Sequence, residues 1–135
     1  MALAAERGTK SRDGKTFSRP VAAAVKIYQG GLTCLSATGY ATPGAVATTL
    51  TADGVALETV DNSAGAAGAL NVEVEKGVFQ FKNSAAADAI TRAEVGDNCY
   101  IVDDETVAKT DGAATRSIAG KIVDVDAQGV WVAVG

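Results

Sequence analysis

The stretch "LNVEVEKGVFQFKN", residues 70–83, carries the clearest fold signal in the chain. Leu70, Val72 and Val74 alternate with polar residues, which is the period of a β-strand that buries one face. Lys76-Gly77 then supplies a turn signal ahead of the apolar run "VFQF". These residues therefore predict a β-hairpin with one solvated face.

Similar patterns lie on both sides of this stretch. Residues 21–44, "VAAAVKIYQGGLTCLSATGYATPG", predict two apolar strands joined at Gly30-Gly31 and closed by a turn at Pro43-Gly44. Residues 98–110, "NCYIVDDETVAKT", predict strand, turn and strand, with the turn at Asp103-Asp104. The terminal "AGKIVDVDAQGVWVAVG" predicts two more strands around a turn at Gln128-Gly129. The chain is thus expected to consist mainly of hairpins.

Two segments are less regular. Residues 45–70 indicate short strands, a turn at the "ADG" of residues 52–54 and a flexible loop around residues 61–69. Residues 84–97, "SAAADAITRAEVGD", offer the one helical pattern, with Ser84 as its N-cap. We expect a mainly β fold: a small β-sandwich or barrel-like body of hairpins with one short helix and an extended N-terminal arm.

The domain organisation follows from composition and charge. Residues 1–20 lack helical or alternating periodicity and predict an extended basic arm, whereas residues 21–135 predict a single β-rich domain. The arm carries five basic and two acidic residues, hence +3, and the remainder carries seven and fourteen, hence −7. An acidic body would repel phosphate, so nucleic acid is not an expected partner. The basic residues of the arm are Arg7, Lys10, Arg12, Lys15 and Arg19.

The large and sulfur-containing residues are few. With seven aromatic residues in 135, we expect a thin body whose aromatic side chains fill the core. Cys34 and Cys99 lie far apart in apolar runs, which favours buried free thiols over a disulfide. No segment approaches the ~18 apolar residues of a membrane helix, and the N-terminus lacks the pattern of a secretory signal. We expect a soluble protein made in a reducing cytoplasm, with no membrane partner.

Catalytic and metal chemistry find little support in the residue types. The chain has no histidine, which excludes Ser-His and Cys-His catalysis and disfavours zinc. The "GKT" of residues 14–16 lacks the glycine spacing of a phosphate-binding loop, and "DVDAQG", residues 124–129, lacks the later glutamate of a calcium loop. Acidic residues such as Asp103, Asp104 and Glu105 fall at predicted turns, where carboxylates bond their own backbone. We therefore expect no catalytic residue, no metal site and no cofactor.

Taken in order along nearly the whole chain, several segments resemble the decoration proteins of tailed bacteriophages, also called capsid cement or minor head proteins, especially those of transposable phages. They are "MALAAERGTKSRDGK", "VAAAVKIYQGGLTCLSATGYATPG", "VFQFKNSAAADAITRAEVGDNCYIVDDETVAKTDG" and "AGKIVDVDAQGVWV". The resemblance implies a small β-rich oligomer that binds the outside of the expanded head and braces the joints between capsomers. It implies no catalytic residues.

The resemblance leads to specific expectations. The partner is the major capsid protein, the chain forms a homotrimer or alternatively a dimer, and it resides on the virion capsid surface after synthesis in the host bacterial cytoplasm. The alternative is a receptor- or glycan-binding module, which would present exposed aromatic residues on one face; the candidates are Tyr28, Tyr40, Tyr100 and Trp131. The residues expected at the capsid or subunit interface are those of the arm: Arg7, Lys10, Arg12, Lys15, Phe17 and Arg19.

Overall fold

The computed structural model of the chain describes residues 2–135 and confirms the mainly β fold. The strands are β1 (Thr16–Pro20), β2 (Lys26–Ile27), β3 (Leu32–Leu35), β4 (Ala41–Pro43), β5 (Thr51–Ala56), β6 (Val60–Asp61), β7 (Asn71–Glu75), β8 (Gly77–Phe81), β9 (Asn98–Ile101), β10 (Val107–Ala108), β11 (Ile118–Asp126) and β12 (Gly129–Val134). The helical content of these residues is two 3-10 turns, Ala86–Asp88 and Arg92–Glu94.

The strands form two five-stranded antiparallel sheets and one small pair. The first sheet has the order β1-β7-β5-β3-β4, the second has the order β10-β9-β11-β12-β8, and β2 pairs with β6. In each large sheet an isolated parallel bridge, Val21 to Ala41 in the first and Lys82 to Thr106 in the second, links the ends of the two edge strands. Each sheet therefore curls on itself, which gives the sandwich-like body a barrel-like character.

The core consists of two clusters on opposite faces of the first sheet. The neighbouring residues Val55 and Ala56 of β5 belong to different clusters because successive side chains of a strand point to opposite faces. On one face, Leu32, Cys34 and Val55 pack against the inner face of the second sheet. On the other face, the small β2–β6 pair covers the sheet. Its cluster consists of Val21, Ile27, Ala41, Ala56, Val72 and Val74.

The pairing predicted for residues 70–83 is wrong, although both strands are present. Strand β7 pairs with β1 and β5 in the first sheet, whereas β8 pairs with β12 in the second. Only Lys76 separates β7 from β8, too few residues for the two-residue loop of a tight hairpin. The chain turns a corner at this point and passes from one sheet to the other.

Two other local predictions are wrong because they depend on contacts with strands that are distant in the sequence. The strands joined at Gly30-Gly31 exist, but β2 pairs with β6, and β3 pairs with β4 and β5. The "ADG" predicted as a turn lies inside β5. A Cβ on Gly54 would lie 2.3 Å from the carbonyl oxygen of Glu75, so this glycine permits the close approach of β7. Gly54 is therefore required for the packing of β5 against β7.

The two hairpins predicted after residue 97 are confirmed. Strand β9 pairs with β10 around the acidic tip, and β11 pairs with β12 around the terminal turn. The carboxylate of Asp126 holds that turn by accepting hydrogen bonds from the backbone N–H groups of Gln128 and Gly129 at 2.9 and 3.1 Å. Local turn chemistry decides both connections.

The predicted helical segment forms the two 3-10 turns and no longer helix. The N-cap is Thr91, which forms a reciprocal capping box with Glu94, and not Ser84. The Ser84 hydroxyl instead donates to the carbonyl oxygen of Val107 at 2.8 Å. Short 3-10 turns suit a segment that only connects two strands of the same sheet.

The expectation that aromatic residues fill the core is wrong. Phe81 is buried, whereas Tyr40, Tyr100 and Trp131 are partly exposed and Tyr28 is 56% exposed. Small and branched aliphatic side chains fill the thin interior between closely packed strands. The rings of the three tyrosines and Trp131 are therefore at least partly open to solvent, whereas Phe79 packs against the core.

The cysteine prediction is confirmed: Cys34 and Cys99 are free and buried. Burial raises the pKa of both thiols to about 12, so at neutral pH they are protonated and shielded from solvent. We predict that neither reacts with a thiol reagent such as DTNB at pH 8 in the native protein, and that both react in 8 M urea. Rapid labelling of either cysteine without denaturant would contradict this burial.

A strained turn precedes β11. Gly112, Ala113 and Ala114 all adopt the left-handed conformation, with φ of 62°, 60° and 63°. Alanine in this region costs roughly 1–2 kcal/mol per residue, part of which glycine returns in the entropy of the unfolded chain. We predict that Ala113→Gly and Ala114→Gly each raise the free energy of unfolding by about 0.5–1 kcal/mol in urea titrations. Ala85→Gly is the control, since Ala85 has an extended φ of −119° and should lose stability.

Candidate interaction surface at the root of the arm

The arm is open to solvent along residues 2–15. Every residue from 2 to 15 is exposed, none lies in a strand or helix, and Leu3 retains 74% of its surface. At its end, the Lys15 carbonyl oxygen accepts a hydrogen bond from the Lys76 N–H at 2.8 Å, and Lys15 Nζ lies 3.4 Å from Glu75 Oε1. The arm therefore leaves the body at Lys15.

The boundary predicted at residue 20 is corrected by β1. Residues 16–20 form an edge strand of the first sheet, in which Phe17 lies opposite Val74 and Arg19 opposite Val72. The sequence "TFSRP" has no apolar alternation, but β7 supplies the backbone hydrogen bonds that order it. Phe17 and Arg19, predicted as arm residues, belong to the body.

A buried carboxylate anchors this strand. Asp53 is only 3% exposed, and Arg19 holds it with a two-pronged contact: Nε donates to Oδ2 at 2.8 Å and Nη2 donates to Oδ1 at 2.9 Å. Lys76 Nζ donates to the same Oδ1 at 2.9 Å and to the Asp53 carbonyl oxygen at 3.2 Å. The cluster links β1, β5 and the corner between β7 and β8. Bidentate contacts of this kind are the strong ones among protein ion pairs.

The charge state of Asp53 depends on these partners. Burial alone would raise its pKa, but hydrogen bonds from Arg19 and Lys76 and their positive charges outweigh burial, so the pKa of Asp53 lies below its ordinary value. The same contact raises the pKa of Arg19. Both groups are charged at neutral pH, and the root of the arm is an ion cluster fixed in the sheet.

Three cationic side chains contact the ring of Phe17. The guanidinium carbons of Arg12 and Arg19 lie 4.8 and 4.7 Å from the ring centroid, and Lys76 Nζ lies 5.4 Å from it. Cation–π contacts at exposed sites contribute about 0.5–1 kcal/mol each. The side chain of Arg12 therefore contacts the body at the Phe17 ring, as that of Lys15 does at Glu75, and both contacts orient the arm as it leaves β1.

The structure divides the six predicted interface residues into two groups. Arg12, Phe17 and Arg19 meet at the root, and Lys15 lies beside it against Glu75. Arg7 and Lys10 are exposed and make no ion pair within residues 2–135. These two remain free to contact another molecule.

Sequence reasoning missed Asp53 and Lys76, which complete the root. Asp53 looked like a turn residue because it precedes a glycine, and Lys76 looked like the tip of a hairpin. A weak signal was present in the β-branched residues around "ADG", which suit a strand better than a turn. Only the crossing of the chain between sheets brings the two residues together.

The acidic residues at the turns have structural roles. Asp103 Oδ1 accepts the backbone N–H of Glu105 at 2.9 Å, and Lys82 pairs with Glu105 at the tip between β9 and β10. Burial, and then the negative charge of Asp103, raises the pKa of Asp104. The carboxylate of Asp126 accepts hydrogen bonds from the Trp131 indole N–H at 2.9 Å and from two N–H groups of the turn, so it is engaged within its own hairpin. Within residues 2–135, no three His, Cys, Asp or Glu side chains are grouped to hold a metal.

Comparison with models of protein families, with curated protein sequences and with solved structures finds no match to this chain. Within the described residues, no helix has the length and apolar character needed to cross a membrane. What the chain does must therefore be inferred from its own residues and their geometry.

Proposed function

We propose that the chain is a structural virion protein that binds the outer surface of a phage capsid and stabilises the contacts between capsomers. The observation that carries the proposal is the arm: fourteen exposed residues, 2–15, with a positive net charge, leave a body that anchors their root through a buried ion cluster. Their exposure and the cations of Arg7 and Lys10, which make no ion pair within residues 2–135, suit a neighbouring surface rather than the body itself. The partner is the major capsid protein, and the chain acts as a homo-oligomer.

The anchored root supports this function physically. An arm that spans a joint between capsomers transmits tension to its own body, and β1 resists it through backbone hydrogen bonds to β7 and the Arg19–Asp53 contact. Each arm contributes a modest affinity, but several arms on one oligomer act with the avidity of linked contacts. Strength therefore comes from repetition over a symmetric shell.

The test uses purified phage heads that lack the protein. Full-length protein is added at several salt concentrations, and occupancy is measured by cryo-electron microscopy and sedimentation. Changing Arg7, Lys10 and Arg12 together to Gln should lower the apparent affinity at least about tenfold and flatten its salt dependence, because the removed charges steer and hold the arm. The matched control neutralises three exposed body lysines, Lys26, Lys82 and Lys109, and should bind nearly as the parent does.

Two results would reject the proposal: failure of the parent protein to bind heads, or equal losses in the arm variant and the control variant. Heads carrying the bound protein should also resist heat and osmotic shock better than bare heads. If fully occupied heads resist heat and osmotic shock no better than bare heads, the protein does not stabilise the capsid.

One observation favours the alternative of a receptor- or glycan-binding module. Tyr100 and Trp131 are partly exposed on the side of the second sheet that faces away from the core, and the Trp131 indole N–H donates to the carboxylate of Asp126 at 2.9 Å. Aromatic faces of this kind bind sugar rings. Binding of the isolated protein to a glycan array, abolished by Trp131→Ala, would support this alternative, and a blank array would exclude it for the glycans tested.

A further inference from the structure

The outer face of the second sheet carries neither of the two core clusters described for residues 2–135, and the 3-10 turn Arg92–Glu94 borders it through the pair of Arg92 with Asp124. The registers of its strands place one set of side chains on this face, opposite the core cluster. Strand β11 runs through the middle of the sheet order, so its residues form the centre of the face. We call it the outer face. Its members are Val78, Gln80, Asn98, Tyr100, Ile118, Lys121, Val123, Asp124, Trp131 and Ala133.

Much of this face is apolar and open to solvent. Val78, Ile118 and Val123 are exposed by 49%, 48% and 47%, so about half the surface of each is open to solvent. Val123 reaches the surface because the register of β11 against β12 shifts between Ile122 and Asp124, a bulge that turns two successive residues outward. A bulge of this kind changes the direction of side chains, and here it places Val123 at the centre of the outer face.

The central strand also carries one charge of each sign. Lys121 is exposed and makes no ion pair with the residues that the structure describes, whereas Asp124 lies 3.2 Å from Arg92 in a pair that is 79% and 56% exposed. A pair so exposed contributes little to stability, and its acid remains accessible to a second cation. The outer face thus has the cation of Lys121 and the exposed carboxylate of Asp124 on either side of Val123; Asp124 Oδ1 accepts from Arg92 at 3.2 Å and from the Val125 N–H at 2.9 Å.

We propose that the outer face binds the outer face of a second copy of this chain across a two-fold axis that passes close to Val123. A two-fold axis repeats every contact with the roles of the two copies exchanged. Lys121 of each copy therefore lies opposite Asp124 of the other copy, which gives two identical ion pairs. Val123, which lies beside the axis, is then covered by the outer face of the second copy. The occupant is a second copy because the face is complementary to itself in charge.

This assignment selects the dimer, the second of the two oligomers that the phage resemblance leaves open. It concerns the isolated protein and does not rest on the proposed role in a phage head. It also bears on the glycan alternative, because a paired outer face would cover Tyr100 and Trp131.

The first experiment is cross-linking of the full-length protein. Val123→Cys places a thiol beside the axis, and Ala37→Cys, at the exposed turn between β3 and β4, is the matched control. The native cysteines are buried and do not interfere. With a short bismaleimide, Val123→Cys should form covalent dimers at least about tenfold faster than Ala37→Cys. Equal rates would overturn the proposal.

The second experiment is a charge exchange followed by sedimentation equilibrium. Lys121→Asp and Asp124→Lys alone each place like charges opposite one another and should weaken the dimer at least about tenfold. The double variant restores both pairs with their signs reversed and should recover most of the affinity. Circular dichroism and thermal melts confirm that the exposed substitutions leave the fold intact. A double variant as weak as the single variants, or a parent protein that stays monomeric at millimolar concentration, would overturn the two-fold contact.

Discussion

Replacement of Asp53 by alanine should lower the free energy of unfolding by about 3 kcal/mol. The carboxylate is 3% exposed and accepts hydrogen bonds from Arg19 and Lys76, whose side chains are 25% and 27% exposed. Its loss leaves two partly buried cations facing each other without a counter-ion, and it frees β1 from β5. Partial exposure of the cations keeps the effect below the upper end for a fully buried pair.

Urea unfolding followed by tryptophan fluorescence or circular dichroism measures this effect. Asp97→Ala is the matched control, because Asp97 is an exposed carboxylate without an ion pair in the described chain, and it should change stability by no more than about 0.5 kcal/mol. If Asp53→Ala behaves like this control, the ion cluster does not anchor the arm.

The same variant should reveal a pH dependence. Because the pKa of Asp53 is lower in the folded protein than in the unfolded chain, its contribution is complete above about pH 4 and is lost as the pH falls through the folded value. The stability difference between the parent and Asp53→Ala should therefore shrink below about pH 4. A stability difference that grows as the pH falls would contradict a lowered pKa of Asp53 in the folded protein.

Deletion of residues 2–15 should leave the stability of the body almost unchanged while removing most of its affinity for undecorated heads. These residues are exposed and lie outside every sheet, so the body loses only the edge contacts of Arg12 and Lys15. Fully extended, fourteen residues reach at most ~50 Å, enough to contact a neighbouring subunit. We expect at least a tenfold weaker apparent affinity, since each oligomer loses all its arms at once.

A longer deletion, residues 2–19, separates binding from folding. It removes β1 and Arg19 in addition, so it should destabilise the body about as much as Asp53→Ala does, with no further loss of head binding in the molecules that remain folded. Head occupancy by the shorter deletion equal to that of the intact chain would show that the arm is a solvated tail. Unfolding of the shorter deletion would show that the folded body includes part of residues 2–15.

The failure at residues 70–83 shows what local pattern can predict. Alternation of apolar and polar residues correctly indicates two strands, because the side-chain period of a strand is local. It contains no information on which strand lies alongside, since β7 and β8 would bury an apolar face equally well in one sheet or in two. The confirmed hairpin at Asp126 differs because its turn is closed by the side chain of that same residue.

The candidate site was predictable to a similar extent. Arg7, Lys10, Arg12 and Lys15 stand out in the sequence as cations in a segment with no apolar period, and the structure leaves them exposed. Phe17 and Arg19 were assigned to the arm because "TFSRP" has no strand pattern. Their place in the body depends on β7 and on Asp53, which is 34 residues away from Arg19 in the chain.

The amino-acid sequence by itself determined that this chain builds strands, where several of its turns fall, that its cysteines are buried free thiols, and that a basic segment precedes an acidic body. All of these depend on side-chain period, turn chemistry and charge within a few neighbouring residues. Only the tertiary structure decided which strands pair, that the chain passes between sheets at Lys76, and that Asp53 binds Arg19 and Lys76. Those outcomes arise from contacts between distant residues, whose free energy depends on the packing of the whole body and not on any single stretch.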